Sequence, residues 1–393
     1  MEYKFSDIFS WESGKPVIQT NGSVPVYGSN GIIGFTDIPK YKDKIILGRV
    51  GAYCGSVEYC KTDFNATDNT LVTTCDTSKI LYGYAYYLLK QYKLNEYSGG
   101  SAQPLITQGL LKHLKCNLPS LAFQEKIISI LDKYEKIIEN NNKRIKELEQ
   151  MAENLYKEWF VRFRFPGYEN TEFEDSKMGK IPVGFSVKKM QDVISRYIGG
   201  GWGNDEEDKD YVVEAYVIRG TDFPNVKKGN LSSCPYRYHK KSNYKSRELH
   251  DLDIVLEVSG GTADQPVGRT LLVTQDVIDR LGGQVICASF CKQIQLKKDE
   301  VSPYYYYYWM NYLYDTRIID RFQLQSTGII NFQFEYFVRK GEILLPPKKL
   351  MQRFDQLIVP IYNSISTLSK QNENLIKQRD LLLPRLMSGK LEV

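Results

Sequence analysis

The stretch from Ile127 to Trp159 restricts the fold more than any other. Its apolar side chains recur in alternating steps of four and three: Ile127, Leu131, Tyr134, Ile138, Asn141, Ile145, Leu148, Ala152, Leu155, Trp159. Charged residues such as Lys133, Lys136, Lys143, Glu147 and Glu153 take the other faces. This is a heptad seam with one strongly polar member, Asn141. At 1.5 Å per residue, a helix over 127–159 extends about 50 Å. A rod with an apolar stripe requires a partner to cover it.

The same chain supplies that partner. From Phe354, 227 positions beyond Ile127, the ladder recurs: Phe354, Ile358, Ile361, Ile365, Leu368, Asn372, Leu375, Arg379, Leu382, Leu386. The lead-in recurs too, Leu118-Pro119-Ser120 before the first ladder and Leu345-Pro346-Pro347 before the second. Gln124 and Gln352 each follow five residues after a proline. Two similar long helices separated by a globule-sized segment indicate internal duplication. Antiparallel pairing sets Ile127 against Leu386, Leu148 against Ile365 and Asn141 against Asn372. Parallel pairing sets each asparagine against an apolar residue, at a cost of roughly 1–3 kcal/mol for each unsatisfied amide. Antiparallel helices are therefore expected, with Asn141 and Asn372 fixing the register. Pro360 and Pro384 predict a kink or a late start in the second helix. Arg379 is expected to snorkel or to stack on Tyr134.

Around the ladders the chain divides into 1–116, a mixed α/β globule; 117–163, the first rod; 164–344, a connector and second globule; and 345–393, the second rod. The expected class is α+β, two mixed globules separated by two long antiparallel coiled-coil helices with a pseudo-two-fold duplication. The opening of the second globule, Val187-Lys188-Lys189-Met190-Gln191-Asp192-Val193, echoes Tyr3-Lys4-Phe5-Ser6-Asp7-Ile8. Its aromatic run Tyr304–Met310 echoes Tyr84–Leu89 within a helix expected over Leu81–Lys90. Strands are expected at Val24–Tyr27, Lys44–Val50 and Thr70–Thr74, between glycine-rich turns.

No apolar run reaches the ~18 residues of a membrane span, and Met1-Glu2-Tyr3-Lys4 carries no secretory h-region. Seven scattered cysteines fit a reducing compartment, so the cytoplasm is the expected location. Phosphate-binding and amino-methyltransferase loops are missing: Gly199-Gly200-Gly201-Trp202-Gly203 runs into Asn204-Asp205-Glu206-Glu207, and Pro346-Pro347 is followed by Lys348. His113, His239 and His250 do not combine at ligand spacing, and Cys54, Cys60, Cys287 and Cys291 read as buried thiols. No metal site and no catalytic residue is expected. A net charge of +5 says little about nucleic acid. The densest basic and aromatic cluster, 236–247, says more. There Arg237, Tyr238, Lys240, Lys241, Asn243 and Lys245 are candidates for phosphate and base contact; a solvated surface loop is the plain alternative. Lys42 and Arg49 form a thinner set in the first globule. The polar glycine loops 98–103 and 259–265 add Ser101, Gln103 and Gln265, and Arg219, Arg269 and Trp202 are single candidates.

Together these parts resemble the DNA-specificity subunit of type I restriction-modification enzymes. In the first globule the likeness rests on Val24-Pro25-Val26-Tyr27-Gly28-Ser29-Asn30-Gly31-Ile32-Ile33-Gly34, on the run from Leu47-Gly48-Arg49-Val50-Gly51 to Val57, on Ala66-Thr67-Asp68-Asn69 and on Ser101-Ala102-Gln103-Pro104. Trp159-Phe160 with Phe163-Arg164-Phe165-Pro166-Gly167 closes the first rod in the same manner. Gly179-Lys180-Ile181-Pro182 resembles the start of a second target-recognition domain, with Phe185 where Trp is common. The run from Gly261 to Arg269 resembles a loop of another recognition-domain subtype. The resemblance implies a subunit without its own active site, whose two target-recognition domains read the two halves of a split double-stranded DNA site. It implies two methyltransferase subunits and two restriction/motor subunits as partners, in a phage-defence complex that methylates adenine. S-adenosylmethionine, ATP and magnesium belong to those partners, and no cofactor is expected on this chain. The alternatives are a methyltransferase-only complex, a coiled-coil adaptor without DNA affinity, and a nuclease hidden in one globule.

Overall fold

The computed structural model describes residues 2–99, 104–261, 265–326 and 329–389. They form two compact units, Met1–Ile138 with Glu373–Val393, and Glu139–Asn372. Each unit combines one mixed α/β head with portions of two long helices, Leu121–Tyr156 and Lys348–Met387.

The helices run antiparallel within both units. In the first unit Ile127 and Leu131 share a core with Leu386, and Leu382 and Met387 pack against it. In the second unit Ile145, Ala152 and Trp159 share a core with Phe354, Ile358, Ile361, Ile365 and Leu368. Each fully buried aliphatic chain contributes about 1.5–3 kcal/mol. Asn141 and Asn372 are 3 % and 8 % exposed. Asn141 Nδ2 donates to Asn372 Oδ1 at 3.0 Å, and Asn372 Nδ2 donates to Asn142 Oδ1 at 2.9 Å. The seam asparagines thus satisfy one another, as the ladders require.

Three details differ from expectation. The second helix spans Lys348–Met387 with Pro360 and Pro384 inside it, so it does not start late. Pro360 lies on an exposed face, where water can solvate the carbonyl deprived of its N–H partner. Arg379 does not use Tyr134; it reaches Glu135 Oε1 across the helix pair at 2.8 Å and also holds Asp380. Gln124 and Gln352 are not equivalent. Gln124 is fully buried, donating to the Lys79 and Pro119 carbonyls and accepting from Leu81 N, whereas Gln352 is exposed. In the second unit the corresponding dock is made by Asp355, which accepts from Ser302 Oγ at 2.6 Å at the start of the aromatic helix Pro303–Asp315.

The two heads are built on one plan. In the first, Glu2–Lys4 pairs antiparallel with Lys115–Asn117, the strand that leads into the first long helix. In the second, Ser186–Lys189 pairs antiparallel with Glu342–Leu345, ahead of the second long helix. A short turn follows each opening strand, closed by Lys4 N on Asp7 Oδ2 (3.0 Å) and Lys189 N on Asp192 Oδ2 (3.2 Å). Phe5 and Ile8, like Met190 and Val193, drop into the core. The sheets agree as well. Phe9–Ser13, Thr70–Cys75, Tyr41–Gly48 and Val57–Ala66 lie side by side and antiparallel in the first head. Ile194–Gly199, Cys291–Leu296, Ile254–Glu257 and Thr270–Leu272 repeat that order in the second. Val24–Gly28 and Gly31–Thr36 extend the first sheet to six strands. The second head instead carries a separate sheet of Tyr236–Lys240, Tyr211–Ile218 and Val285–Cys287.

Aromatic helices brace both heads. Tyr82–Gln91 buries Tyr84 and Tyr87, and Pro303–Asp315 buries Tyr305 through Met310. Tyr156 meets Tyr305 and Tyr308 at ring-centroid distances of 5.8 and 6.1 Å, and Phe354 meets Tyr308 at 6.0 Å. All seven cysteines are buried and unpaired with one another. Among the described residues no helix is long and apolar enough to cross a membrane.

Candidate nucleic-acid interface

In the first head, scattered sequence motifs converge on one end of the central sheet. Ser29 Oγ donates to the Asn69 carbonyl (2.6 Å), and Ser56 Oγ donates to the Ser29 carbonyl (2.7 Å). Arg49 N reaches Asn69 O, Ile106 N reaches Arg49 O, and Gly51 N reaches Pro104 O. Four segments far apart in sequence are thereby tied around Arg49. Its side chain is half-buried, with Nε enclosed and unbonded within the chain. Lys42 lies exposed at the far end of the Tyr41–Gly48 strand from Arg49 and pairs loosely with Asp63 at 3.6 Å. Ser101 and Gln103 lie outside the described residues.

The strand registers locate the corresponding place in the second head. Gly48 N donates to Ser56 O, and Gly55 N donates to Gly48 O, both at 2.9 Å. Glu257 N donates to Arg269 O at 2.9 Å, and Gly268 N donates to Glu257 O at 3.0 Å. Gly55 and Gly268 hold φ of +88° and +107°, a backbone region that favours glycine. The Gly48–Ser56 turn and the Glu257–Arg269 turn are one device in two heads. Gly55-Ser56 of the 47–57 motif and Gly268-Arg269 of the 261–269 motif are therefore counterparts.

Their side chains differ. Arg269 binds Glu257 through two hydrogen bonds, at 2.8 and 2.6 Å, and the Gln265 amide lies beside the same guanidinium. Arg219 grips Asp222 twice at 2.9 Å and donates to the Ser233 carbonyl. Hydrogen bonding to these carboxylates raises both guanidinium pKa values above the ordinary arginine range. These two candidates are committed to buried or half-buried carboxylates and hold their loops in shape.

The 236–247 cluster is a strand followed by a helix. Tyr236–Lys240 is the edge strand of its sheet, antiparallel to Tyr211–Ile218, and Lys241–Arg247 is helical. Strand alternation sends Tyr236, Tyr238 and Lys240 to one face and Arg237 and His239 to the other. Tyr236 packs on Tyr216 and Tyr238 (5.0 and 6.1 Å), while Lys240 Nζ lies 5.2 Å from the Tyr211 ring centroid. The Arg237 guanidinium stacks 4.3 Å over Trp202 and pairs with Asp205. His239 is buried, and that burial, with Arg237 nearby, lowers its pKa. Lys240 Nζ pairs with Asp210 at 3.2 Å. Lys241, Asn243 and Lys245 are exposed, with Asn243 accepting weakly from Arg247.

The structure thus places Tyr238 and Lys240 on one face of the edge strand and Arg237 on the other, with Lys241, Asn243 and Lys245 on the helix that follows, and Arg49 and Lys42 at opposite ends of a strand in the first head. Sequence reasoning missed the carboxylates facing them. Asp222 lies only three residues from Arg219, a spacing that offered a local signal. Asp205, 32 residues from Arg237, had no local signal.

Comparison with known proteins identifies the class. Residues 1–150 match the type I restriction modification DNA specificity domain. The MjaIX type I restriction enzyme specificity subunit of Methanocaldococcus jannaschii is 26 % identical over 318 residues, covering 79 % of this chain and 69 % of that protein. The EcoprrI specificity subunit of Escherichia coli is 35 % identical over 114 residues, 29 % of this chain and 28 % of that one. In three dimensions the type I S subunit from M. genitalium aligns over 98 % of this chain and 95 % of its own, with a TM-score of 0.54 and 12 % identity, a likeness of fold. The first 150 residues thus carry the type I restriction modification DNA specificity domain, and the chain as a whole is similar to type I specificity subunits.

Proposed function

We propose that this chain is the non-catalytic DNA-reading subunit of a complex that recognises a two-part duplex site, each head reading one half. The carrying observation is the duplicated head, with one strand order and one glycine-closed turn in both copies. A chain with two copies of one reading device suits a site with two half-sites. The different side chains on the two turns suit different half-site sequences. The long antiparallel helices then set the unread gap between them.

In this reading Arg237, Lys240, Lys241 and Lys245 neutralise phosphates, and Tyr238 and Asn243 approach the groove. In the first head Arg49 and Lys42 take the phosphate role. Arg219, Arg269 and Gln265 shape their loops from behind. Two methyltransferase subunits bind the two pseudo-symmetric halves of the chain, and each extrudes and methylates an adenine in its half-site. Two restriction/motor subunits complete the assembly. Those partners carry S-adenosylmethionine, ATP and magnesium, and this chain carries no cofactor. Among the described residues no group of His, Cys, Asp and Glu could hold a metal.

Methylome sequencing of cells carrying this chain with a type I methyltransferase subunit tests the proposal. The expected result is methylated adenine in two short motifs separated by a fixed unspecified gap. A single continuous motif, or no methylation, overturns it.

A further inference from the structure

The edge strand that carries Arg237 and Lys240 is covered by an acidic segment of the same chain. Residues 204–210 contain Asp205, Glu206, Glu207, Asp208 and Asp210. Asn204 pairs with Tyr238 through both backbone groups, N to O at 2.9 Å and the reverse at 3.0 Å. The segment therefore lies along the strand's free edge. From there Asp205 meets Arg237 on one face, and Asp210 meets Lys240 on the other. Asp208 closes the return turn by accepting from Asp210 N and Tyr211 N at 2.8 and 3.1 Å.

Backbone pairing alone would protect the edge from stray strand addition. The carboxylates add something else: they occupy the cations where phosphates would sit. We infer that residues 204–210 are an acidic strap that competes with DNA phosphate for Arg237 and Lys240. This rests on the reading of that strand as a phosphate-contacting element. The strap is poised to leave. Asp205 and Asp210 are 84 % and 67 % exposed and Lys240 is 43 % exposed, so the carboxylates can exchange with solvent, while Arg237, 13 % exposed, stays stacked on Trp202 and becomes uncovered on the side Asp205 occupies. Gly200 N on Cys291 O and Gly201 N on Cys287 O, both at 2.9 Å, anchor the backbone just before it, so displacement involves the strap itself and not its root. Lys241 and Lys245 stand exposed beside it and make the first phosphate contacts. Arbitrary DNA meets a partly neutralised strand. A site that also engages the reading loops displaces the strap and gains both cations. The strap thus suppresses non-specific binding and sharpens discrimination.

The test is a thermodynamic cycle on the full chain, read by fluorescence anisotropy with a duplex of arbitrary sequence. Its arms are wild type, Asp205→Asn/Asp210→Asn, Arg237→Gln/Lys240→Gln, and the fourfold combination. At about 50 mM salt the Asn pair should tighten binding about threefold to tenfold, with the gain fading as salt rises. In the Arg237→Gln/Lys240→Gln background that gain should vanish, because the strap acts through those cations. A gain of equal size in both backgrounds marks a general charge effect and overturns the inference. No gain in either, while Arg237→Gln/Lys240→Gln weakens binding, overturns the strap but leaves the strand's DNA role intact. If Arg237→Gln/Lys240→Gln changes nothing, the DNA role of the strand fails, and the strap with it. Circular dichroism of the four proteins confirms equal folding before affinities are compared.

Discussion

Replacing Asn141 by leucine tests the helix register most directly. Wild type buries two amides that answer each other, Asn141 Nδ2 on Asn372 Oδ1 at 3.0 Å and Asn372 Nδ2 on Asn142 Oδ1 at 2.9 Å. Asn141→Leu removes the first bond. Asn372 keeps its donor bond to Asn142 but is left with a buried, unbonded oxygen. That orphan costs about 1–3 kcal/mol, partly offset by the added apolar burial, for a net loss of about 1–2 kcal/mol. Because 1.4 kcal/mol is a factor of ten, amide protection along the two helices should drop about fivefold to thirtyfold. Native-state hydrogen exchange resolves this locally and does not require two-state unfolding of a chain with two compact units. Asn372→Leu should behave similarly, since Asn141 then loses its acceptor. The double variant leaves no orphan and should regain wild-type protection or exceed it. Two single-variant losses that simply add in the double variant, or a single variant with undiminished protection, would refute the mutual-satisfaction argument.

Three further outcomes follow from the geometry. Burial pushes the Asp355 carboxyl from 3.8 up to about 6 despite its bond from Ser302. A raised carboxylate pKa favours the protonated folded state, so stability should fall as pH climbs from about 4 through about 6. Asp355→Asn should therefore stabilise by about 2 kcal/mol at pH 8 and by little at pH 4, read from urea midpoints. Glu257→Ala leaves the half-buried Arg269 guanidinium without its carboxylate and should cost about 3–5 kcal/mol, seen as a lowered melting temperature before any DNA is added. Removing one heptad from each long helix, in matched positions, shortens the pair by about 10 Å at 1.5 Å per residue. Methylome sequencing should then show a gap about three base pairs shorter between unchanged half-sites.

Much of the architecture was already written in the residue pattern. The 4-3 ladders and their single asparagines determined two long helices, their partnership and their antiparallel sense. Burial of apolar stripes and pairing of stranded amides are set by local periodicity, and a helix obeys periodicity wherever it lies. The matching openings Lys4–Asp7 and Lys189–Asp192 are equally local, because a capping contact spans three residues. The continuous helix at Pro360 was not local. Its exposure depends on which face the packed pair turns outward.

The candidate interface divides along the same line. The sequence gathered Arg237, Lys240, Lys241 and Lys245 because they are neighbours in the chain. Only the tertiary structure equated Gly48–Ser56 with Glu257–Arg269, because strand register, and not residue identity, makes them counterparts. It also chose partners for the cations. Asp205, Asp210, Glu257 and Asp222 decide which of them are paired within the chain. A charge acts across space on whatever the fold brings near it, and the fold alone placed those carboxylates.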